Sequence, residues 1–472
     1  MSEIDLLAIE RGTVTSPAGC GKTHLIAESL TRRSGVKPIL VLTHTNAGVA
    51  ALRARLDRMR VPARAYCLFT IDGWAMRLIR TFPSRSGHQR DILKLTQPGT
   101  DYPSIRDAAW KLLQTGHVND VLKASYNSLI VDECQDCSIR QLAIVYYAAD
   151  GLRTCVLGDP MQSIFDFGDQ LADWDEHVCK HFPVVGELTT PWRWRNAGTE
   201  GFGLWLLEAR RRLRAGQPID MRMAPREVTW VNLDGTEDYK RRLAAARTQA
   251  PDPNGSVLII GDSKSPASQR EIARQTPGAV TVENVDLRDL VEFARDLNLT
   301  GPDALDRIVH FAGTVMINVG APDLLRRVAS LQRGNARKEP TEVERAALSF
   351  KASPSLQSAA DLLVEIGKEA GVRPHRPAVL IACLKALQTC DDTEGNTFHD
   401  AALRAREQNR LVGRPLPRRA VGSTLLLKGL EADVSVVLNA ADLNARNLYV
   451  AMTRGSKKLV VCSPSPILNP AR

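Results

Sequence analysis

Ser16-Pro17-Ala18-Gly19-Cys20-Gly21-Lys22-Thr23 is the stretch that decides the fold. Before it, Gly12-Thr13-Val14-Thr15 reads as a short strand; after it, Thr23-His24-Leu25-Ile26-Ala27-Glu28-Ser29-Leu30 reads as the opening of a helix. Gly19 and Gly21 let the backbone wrap its N–H groups round phosphate oxygens at the positive end of that helix. Lys22 would then reach the β- and γ-phosphates, and the Thr23 hydroxyl would take Mg2+. Gly19, Cys20, Gly21, Lys22, Thr23 and His24 are therefore the candidate nucleotide-binding residues. Ser16 stands in place of the usual first glycine and is small enough to fit.

A phosphate cradle needs an acidic pair at the end of a buried strand. Leu129-Ile130-Val131 is apolar enough for such a strand, and Asp132-Glu133-Cys134-Gln135-Asp136 follows at once. Asp132 would hold Mg2+ through water, and Glu133 would orient and deprotonate the attacking water. Phosphoryl transfer asks little more of a protein than positioning and neutralising charge. Near the C-terminus stands Tyr449-Val450-Ala451-Met452-Thr453-Arg454.

In order and spacing these blocks resemble the superfamily 1A helicases of the UvrD/Rep/PcrA type. The resemblance covers residues 12–80, 125–200 and 420–462, and is loose between them. It implies that Val156-Leu157-Gly158-Asp159-Pro160-Met161-Gln162-Ser163-Ile164-Phe165 is motif III, with Gln162 sensing the γ-phosphate. Leu188-Thr189-Thr190-Pro191-Trp192-Arg193 is similar to motif IV, which puts Arg193 on the γ-phosphate and Trp192 on the base. Lys428-Gly429-Leu430-Glu431 resembles motif V, whose glutamate meets the ribose, and Arg454 would be an arginine finger from the second lobe. Binding of ATP and Mg2+, and 3′→5′ movement, are implied by the same likeness.

The strand-binding surface follows from it too. His44-Thr45-Asn46-Ala47 resembles motif Ia and Thr70-Ile71-Asp72-Gly73-Trp74 motif Ib, with Asp72 where a histidine is usual. Trp74 and Phe167 are either stacking platforms, worth about 1–3 kcal/mol per base, or core aromatics.

Further departures from the pattern bear on base selection and DNA coupling. No glutamine occurs in residues 1–30, so the adenine-selecting block is missing and GTP stays open beside ATP. Gly168 replaces the arginine after the motif III aromatic, and Leu425 the motif V histidine. Both are DNA-coupling rather than hydrolytic positions.

Composition agrees with this class. A chain of 472 residues holds more than one domain, and a net charge of +9 with a pI near 9.1 favours a polyanionic partner. Nine scattered cysteines fit a reducing cytoplasm rather than a disulfide framework. Cys134 and Cys137 form a Cys-x-x-Cys, but no second pair has zinc spacing. The N-terminus carries Glu3 and Asp5 and no long apolar run, so neither a signal peptide nor a membrane span is expected.

The expected fold is α/β, with two RecA-like P-loop NTPase lobes. Lobe 1A would take 1–80 and 126–185, with strands at 12–15, 38–43, 128–132 and 154–158. Residues 81–125 would be a short 1B insertion. Lobe 2A would take 186–285 and 411–472, with strands at 227–232, 256–261, 422–427, 434–439 and 458–462. Between its halves, 286–410 reads as a helical 2B-like insertion. Arg326-Arg327, Arg333, Arg337-Lys338 and Arg418-Arg419 make the candidate duplex- or partner-facing clusters.

Three readings follow: a self-sufficient helicase of repair or replication; a DNA-activated NTPase subunit beside a separate nuclease, similar to the UvrD-like subunit of Gabija-type phage defence; and a non-enzymatic nucleic-acid scaffold. Intact Lys22, Glu133 and Arg454 argue against the last.

Overall fold

The structure, a computed structural model, describes residues 4–32, 35–165, 169–283, 287–335, 337–390, 397–411 and 417–471. Contacts divide the chain into two compact units. One comprises Met1–Asn232, Ala440–Leu459 and Ser463–Arg472; the other comprises Leu233–Asn439 and Val460–Cys462.

The first unit is built on six parallel strands: β1 (Arg11–Thr15), β2 (Ile39–Thr43), β3 (Tyr66–Thr70), β4 (Ser128–Val131), β5 (Arg153–Gly158) and β6 (Val184–Glu187). Their order is β3-β2-β4-β5-β1-β6. Isoleucine, leucine and valine fill β2 and β4 because helices cover both faces. On one face lie α1 (Lys22–Arg32) and α2 (Asn46–Arg58), with Leu25, Ile26, Leu52 and Leu56 packed against Val14, Val41 and Ile130. On the other lie α3 (Ile71–Thr81) and the helices Pro98–Gln114 and Ile139–Ala148. Strand order reverses around β1, so the crevice beyond the carboxyl ends is where ligands bind in such sheets. Each of the six strands is followed there by one of the motif loops.

Residues 81–125 are mainly helical. Ile105, Ala109, Leu112, Leu113 and Leu122 from this segment enter the same core as Leu78 and Ile144. Trp74 is in that core at 2% exposure, so of its two readings the structure keeps the core aromatic and not the stacking platform: neither ring face is available to a base. Asp72, at the usual histidine position, accepts from Arg106 Nε (2.7 Å) and Nη2 (2.6 Å) and from Gln141 Nε2 (3.1 Å). Arg106 also reaches Asp169 at 2.9 Å. Burial works against this guanidinium's charge, but Asp72 and Asp169 outweigh it and raise its pKa.

The second unit carries the parallel run Val280–Thr281, Arg419–Gly422, Val257–Ile260, Ala432–Val437, part of a second six-stranded sheet. The expected strand at 422–427 is displaced: pairing ends at Gly422, and 424–429 turns, with Gly429 at φ +81°. Among the described residues, seven helices run from Arg288–Asp296 to Phe398–Leu411. Phe293 stacks on Phe311 at 4.0 Å within their core. Two of the basic clusters are not free surface. Arg419 is buried, donating to the carbonyls of Ala246 and Thr248, and Arg327 is engaged by Glu344 and the Lys338 carbonyl.

His375 is 1% exposed, and its Nδ1 has no hydrogen-bond partner among the described residues. Burial lowers its pKa to about 4, with Arg376, Arg274, Arg373 and Arg270 adding to the effect. The neutral ring is the folded form, so its contribution is complete above the unfolded value near 6.5 and is lost as pH falls toward 4. Up to about 3 kcal/mol is at stake. Thermal unfolding of wild type should therefore fall away between pH 6.5 and 4 more steeply than that of His375→Gln; equal slopes would refute this.

Candidate functional site

The cradle begins where β1 ends. Ser16 N–H donates to the Gly158 carbonyl (2.8 Å), which ties the loop's first residue to the end of β5. Gly19 and Gly21 take φ of +71° and +89°, values closed to most side chains. Leu25 N–H then donates to the Gly21 carbonyl (2.9 Å), the first full turn of α1. The glycines are also required by what lies above them. A Cβ on Gly19 would stand 2.5 Å from Trp194 Cζ3, and one on Gly21 would stand 3.0 Å from Trp192 Cδ1.

Lys22 Nζ lies 2.8 Å from Asp132 Oδ1 and 2.6 Å from Glu133 Oε1. Burial opposes the ammonium charge, but the two carboxylates outweigh it and hold the lysine pKa above its ordinary range. Burial pushes the Asp132 carboxyl up, with Lys22 pulling it back. Glu133 sits at φ +56°, a left-handed conformation that costs a non-glycine residue about 1–2 kcal/mol. Such strain collects at working positions, and here it turns the side chain toward Lys22. Gln135 fixes that orientation, donating from Nε2 to Glu133 Oε2 (2.5 Å) and accepting on Oε1 from Asp159 N–H (3.1 Å).

Motif III is held by its own aspartate: Asp159 Oδ2 accepts from Gln162 Nε2 (3.1 Å). The segment after β6 closes over the loop. Arg193 N–H donates to the Gly19 carbonyl (3.0 Å), Arg193 Nη1 donates to the Thr453 carbonyl (2.5 Å), and Trp194 Nε1 donates to the Gly455 carbonyl (2.9 Å). Ala18 N–H donates to the Tyr449 hydroxyl at 3.0 Å. Burial, with Asp159 nearby, raises that phenol's pKa well above 10, so it stays neutral. Burial likewise pushes Cys20 up to about 12, with Asp159 adding to it, so its thiol is no nucleophile. Trp192 is 44% exposed, with Arg195 Cζ 5.3 Å from its ring.

The residues present fit a magnesium nucleoside triphosphate. The Ser16 and Thr43 hydroxyls are buried without a hydrogen-bond partner among the described residues. Lys22 is paired with just those carboxylates that a metal and a γ-phosphate would separate. Thr23 and Asp132 could supply two hard oxygen ligands, the remainder coming from phosphate and water. Among the described residues no group of three or more His, Cys, Asp or Glu side chains could hold a metal alone.

Arg454, expected as a finger from the second lobe, falls instead in the first unit, which also holds the cradle. Its guanidinium is 2% exposed, with Nε donating to the Val450 carbonyl (2.8 Å) on its own helix, Ala445–Met452. His24 is exposed on α1, and Glu431 is exposed in the second unit. His44 packs on Phe165 with ring centroids 5.4 Å apart, Thr45 caps α2 through Gly48 N–H (3.0 Å), and Asn46 is exposed. Phe167 and Gly168 lie outside the described residues.

Residues 6–168 match the family model described as an AAA domain. Over those residues, about a third of its length, the chain is similar to AAA domains. Solved structures similar to the chain include three helicases. Pif1 helicase from Candida albicans is 12% identical over 96% of this chain and 91% of its own, with TM-score 0.37. Pif1 helicase from Bacteroides, with ADP-AlF3 and single-stranded DNA, is 16% identical over 57% and 53%, with TM-score 0.27. Arterivirus nonstructural protein 10, a helicase with DNA, is 13% identical over 55% and 49%, with TM-score 0.29. The match thus takes in about half of the arterivirus protein. No curated protein matches the chain. No helix among the described residues is long and apolar enough to cross a membrane.

The motifs do not mark Arg210, Trp194 or the hydroxyl of Tyr449, which the structure places around the cradle and motif III. Arg210 was hidden in Arg210-Arg211-Arg212, yet it shares a helical stripe with Phe202, Leu206 and Leu213. That periodicity was the available signal.

Proposed function

We propose that the chain is a nucleic-acid-dependent NTP hydrolase that couples turnover to movement along single-stranded DNA. One observation carries this reading: Lys22 lies between Asp132 and Glu133 beside a glycine loop roofed by Trp192 and Arg193. The N–H groups of Gly19, Cys20 and Gly21 bind phosphate oxygens, and Lys22 exchanges its carboxylates for the β- and γ-phosphates. Thr23 and Asp132 hold Mg2+, which when bound disperses the phosphate charge. Glu133 orients and deprotonates the attacking water, Gln162 senses the γ-phosphate, and Arg193 and Arg454 offset charge on the γ-phosphoryl group. Arg454 must first leave the Val450 carbonyl, which makes turnover depend on a conformational step.

Trp192 stacks on the base. A stacked ring accepts any purine, so both ATP and GTP serve. The DNA strand runs past the positive N-termini of α2 and α3, over His44, Thr45 and Asn46, with Phe167 as the stacking aromatic. Residues 1–80 with 126–185, and 186–285 with 411–472, serve as lobes 1A and 2A, with 81–125 and 286–410 as the insertions. The strand moves 3′→5′, as the motif resemblance implies, in the cytoplasm. Gly168 and Leu425 favour a second reading, in which unwinding is weak and a separate nuclease subunit acts on the DNA, as in antiviral defence rather than repair.

The test is phosphate release from ATP and GTP with and without an oligothymidylate, alongside a forked duplex. Stimulation of about tenfold or more with both nucleotides is expected. Strand separation supports the self-sufficient motor; stimulated hydrolysis without separation supports the subunit. Absence of hydrolysis with either nucleotide would sink both.

A further inference from the structure

Arg210 is 4% exposed on the helix Glu200–Arg214, surrounded on its face by Phe202, Leu206 and Leu213. A guanidinium in such a place is costly unless its charge is matched. Its Nε donates to Asp159 Oδ1 (3.0 Å) and its Nη1 to Glu187 Oε1 (2.9 Å). Asp159 is fully buried, and its carboxylate also accepts from Met161 N–H and Gln162 Nε2, each at 3.1 Å. The Asp159 N–H donates to Gln135 Oε1 (3.1 Å), and Gln135 Nε2 donates to Glu133 Oε2 (2.5 Å). Glu187 ends β6, and the next residue, Leu188, donates its N–H to the Thr15 carbonyl (2.9 Å) at the mouth of the cradle.

We propose that Arg210 is a positioning residue for NTP hydrolysis, setting Gln162 and Glu133 relative to one another through Asp159. This deepens the functional reading above and rests on it. One aspartate holds the γ-phosphate sensor with its side chain and the general base, through Gln135, with its backbone. Arg210 fixes that aspartate from behind and anchors it to β6, the strand that delivers Trp192 and Arg193. The planar fork meets Asp159 and Glu187 from two separate nitrogens, Nε and Nη1, a fixed geometry that the single nitrogen of a lysine does not reproduce.

The measurement is steady-state hydrolysis by four variants, Gln162→Ala alone among them, whose folding is checked by thermal unfolding. Arg210→Lys keeps the charge and loses the fork. Arg210→Met with Asp159→Asn removes both charges, so no uncompensated ion remains in the interior. Both are expected to keep KM for ATP within about threefold and to lose kcat by about a hundredfold, the loss typical of a misplaced reacting group. Adding Gln162→Ala to the paired variant should lower kcat little further, because the two changes disable one unit. Wild-type kcat in either Arg210 variant, or a Gln162→Ala effect that multiplies in full, would overturn the proposal while leaving the NTPase reading intact. A wild-type chain that hydrolyses no nucleotide would overturn both together.

Discussion

Lys22→Ala is expected to lower NTP hydrolysis by about a thousandfold or more, the upper range for removing one group that stabilises transition-state charge. The geometry gives the reason. Lys22 is the cation that lies within 2.8 Å of both acids after β4, so it is the side chain best placed to exchange carboxylate for phosphate. The substitution has a second effect. It leaves Asp132, whose side chain is 8% exposed, beside Glu133 with no cation between them, and breaking a buried pair costs about 3–5 kcal/mol. Apo protein should therefore melt earlier than wild type, and Lys22→Ala with Asp132→Asn should recover part of that loss without recovering turnover. Phosphate release at saturating oligonucleotide reads the first effect and thermal unfolding the second. Turnover at the wild-type rate would remove the cradle from the chemistry.

Glu133→Gln should separate binding from hydrolysis. The amide keeps the size of the side chain and loses the base, so turnover should drop about 100- to 10,000-fold. Lys22 would keep Asp132 at 2.8 Å, and the loop and its Trp192 roof are untouched, so nucleotide affinity should change little. A fluorescent nucleotide titration beside phosphate release tests this. Binding and hydrolysis lost in equal measure would make Glu133 a binding residue, and unchanged turnover would move the base elsewhere.

Much of the first unit was legible because its strands are short apolar runs that end in loops with chemical demands. Leu129-Ile130-Val131 before Asp132 admitted few other readings, and neither did the glycines before Lys22. Side-chain environment was less legible. Trp74 and Asp72 sit in a block that resembles a strand-binding motif, but the helix Pro98–Gln114 packs over them and Arg106 claims the carboxylate. Nothing local to Thr70–Trp74 announces that cover, which arrives from a segment that looked like a polar insertion. Leu425-Leu426-Leu427 has strand-like composition, but the turn between Gly422 and Gly429 takes it. Arg210 and Tyr449 act through partners far away in sequence, and a long-range pairing leaves its trace only as a polar residue on an apolar stripe.

The 2.5 Å separation between the ring of Trp194 and the place where a Cβ on Gly19 would stand has a hereditary consequence. Any amino acid that replaces glycine brings that carbon, so residue 19 has no neutral neighbour in sequence space while Trp194 remains. Lineages could drift at position 19 only after position 194 had yielded a smaller side chain, which makes the order of the two changes historically constrained.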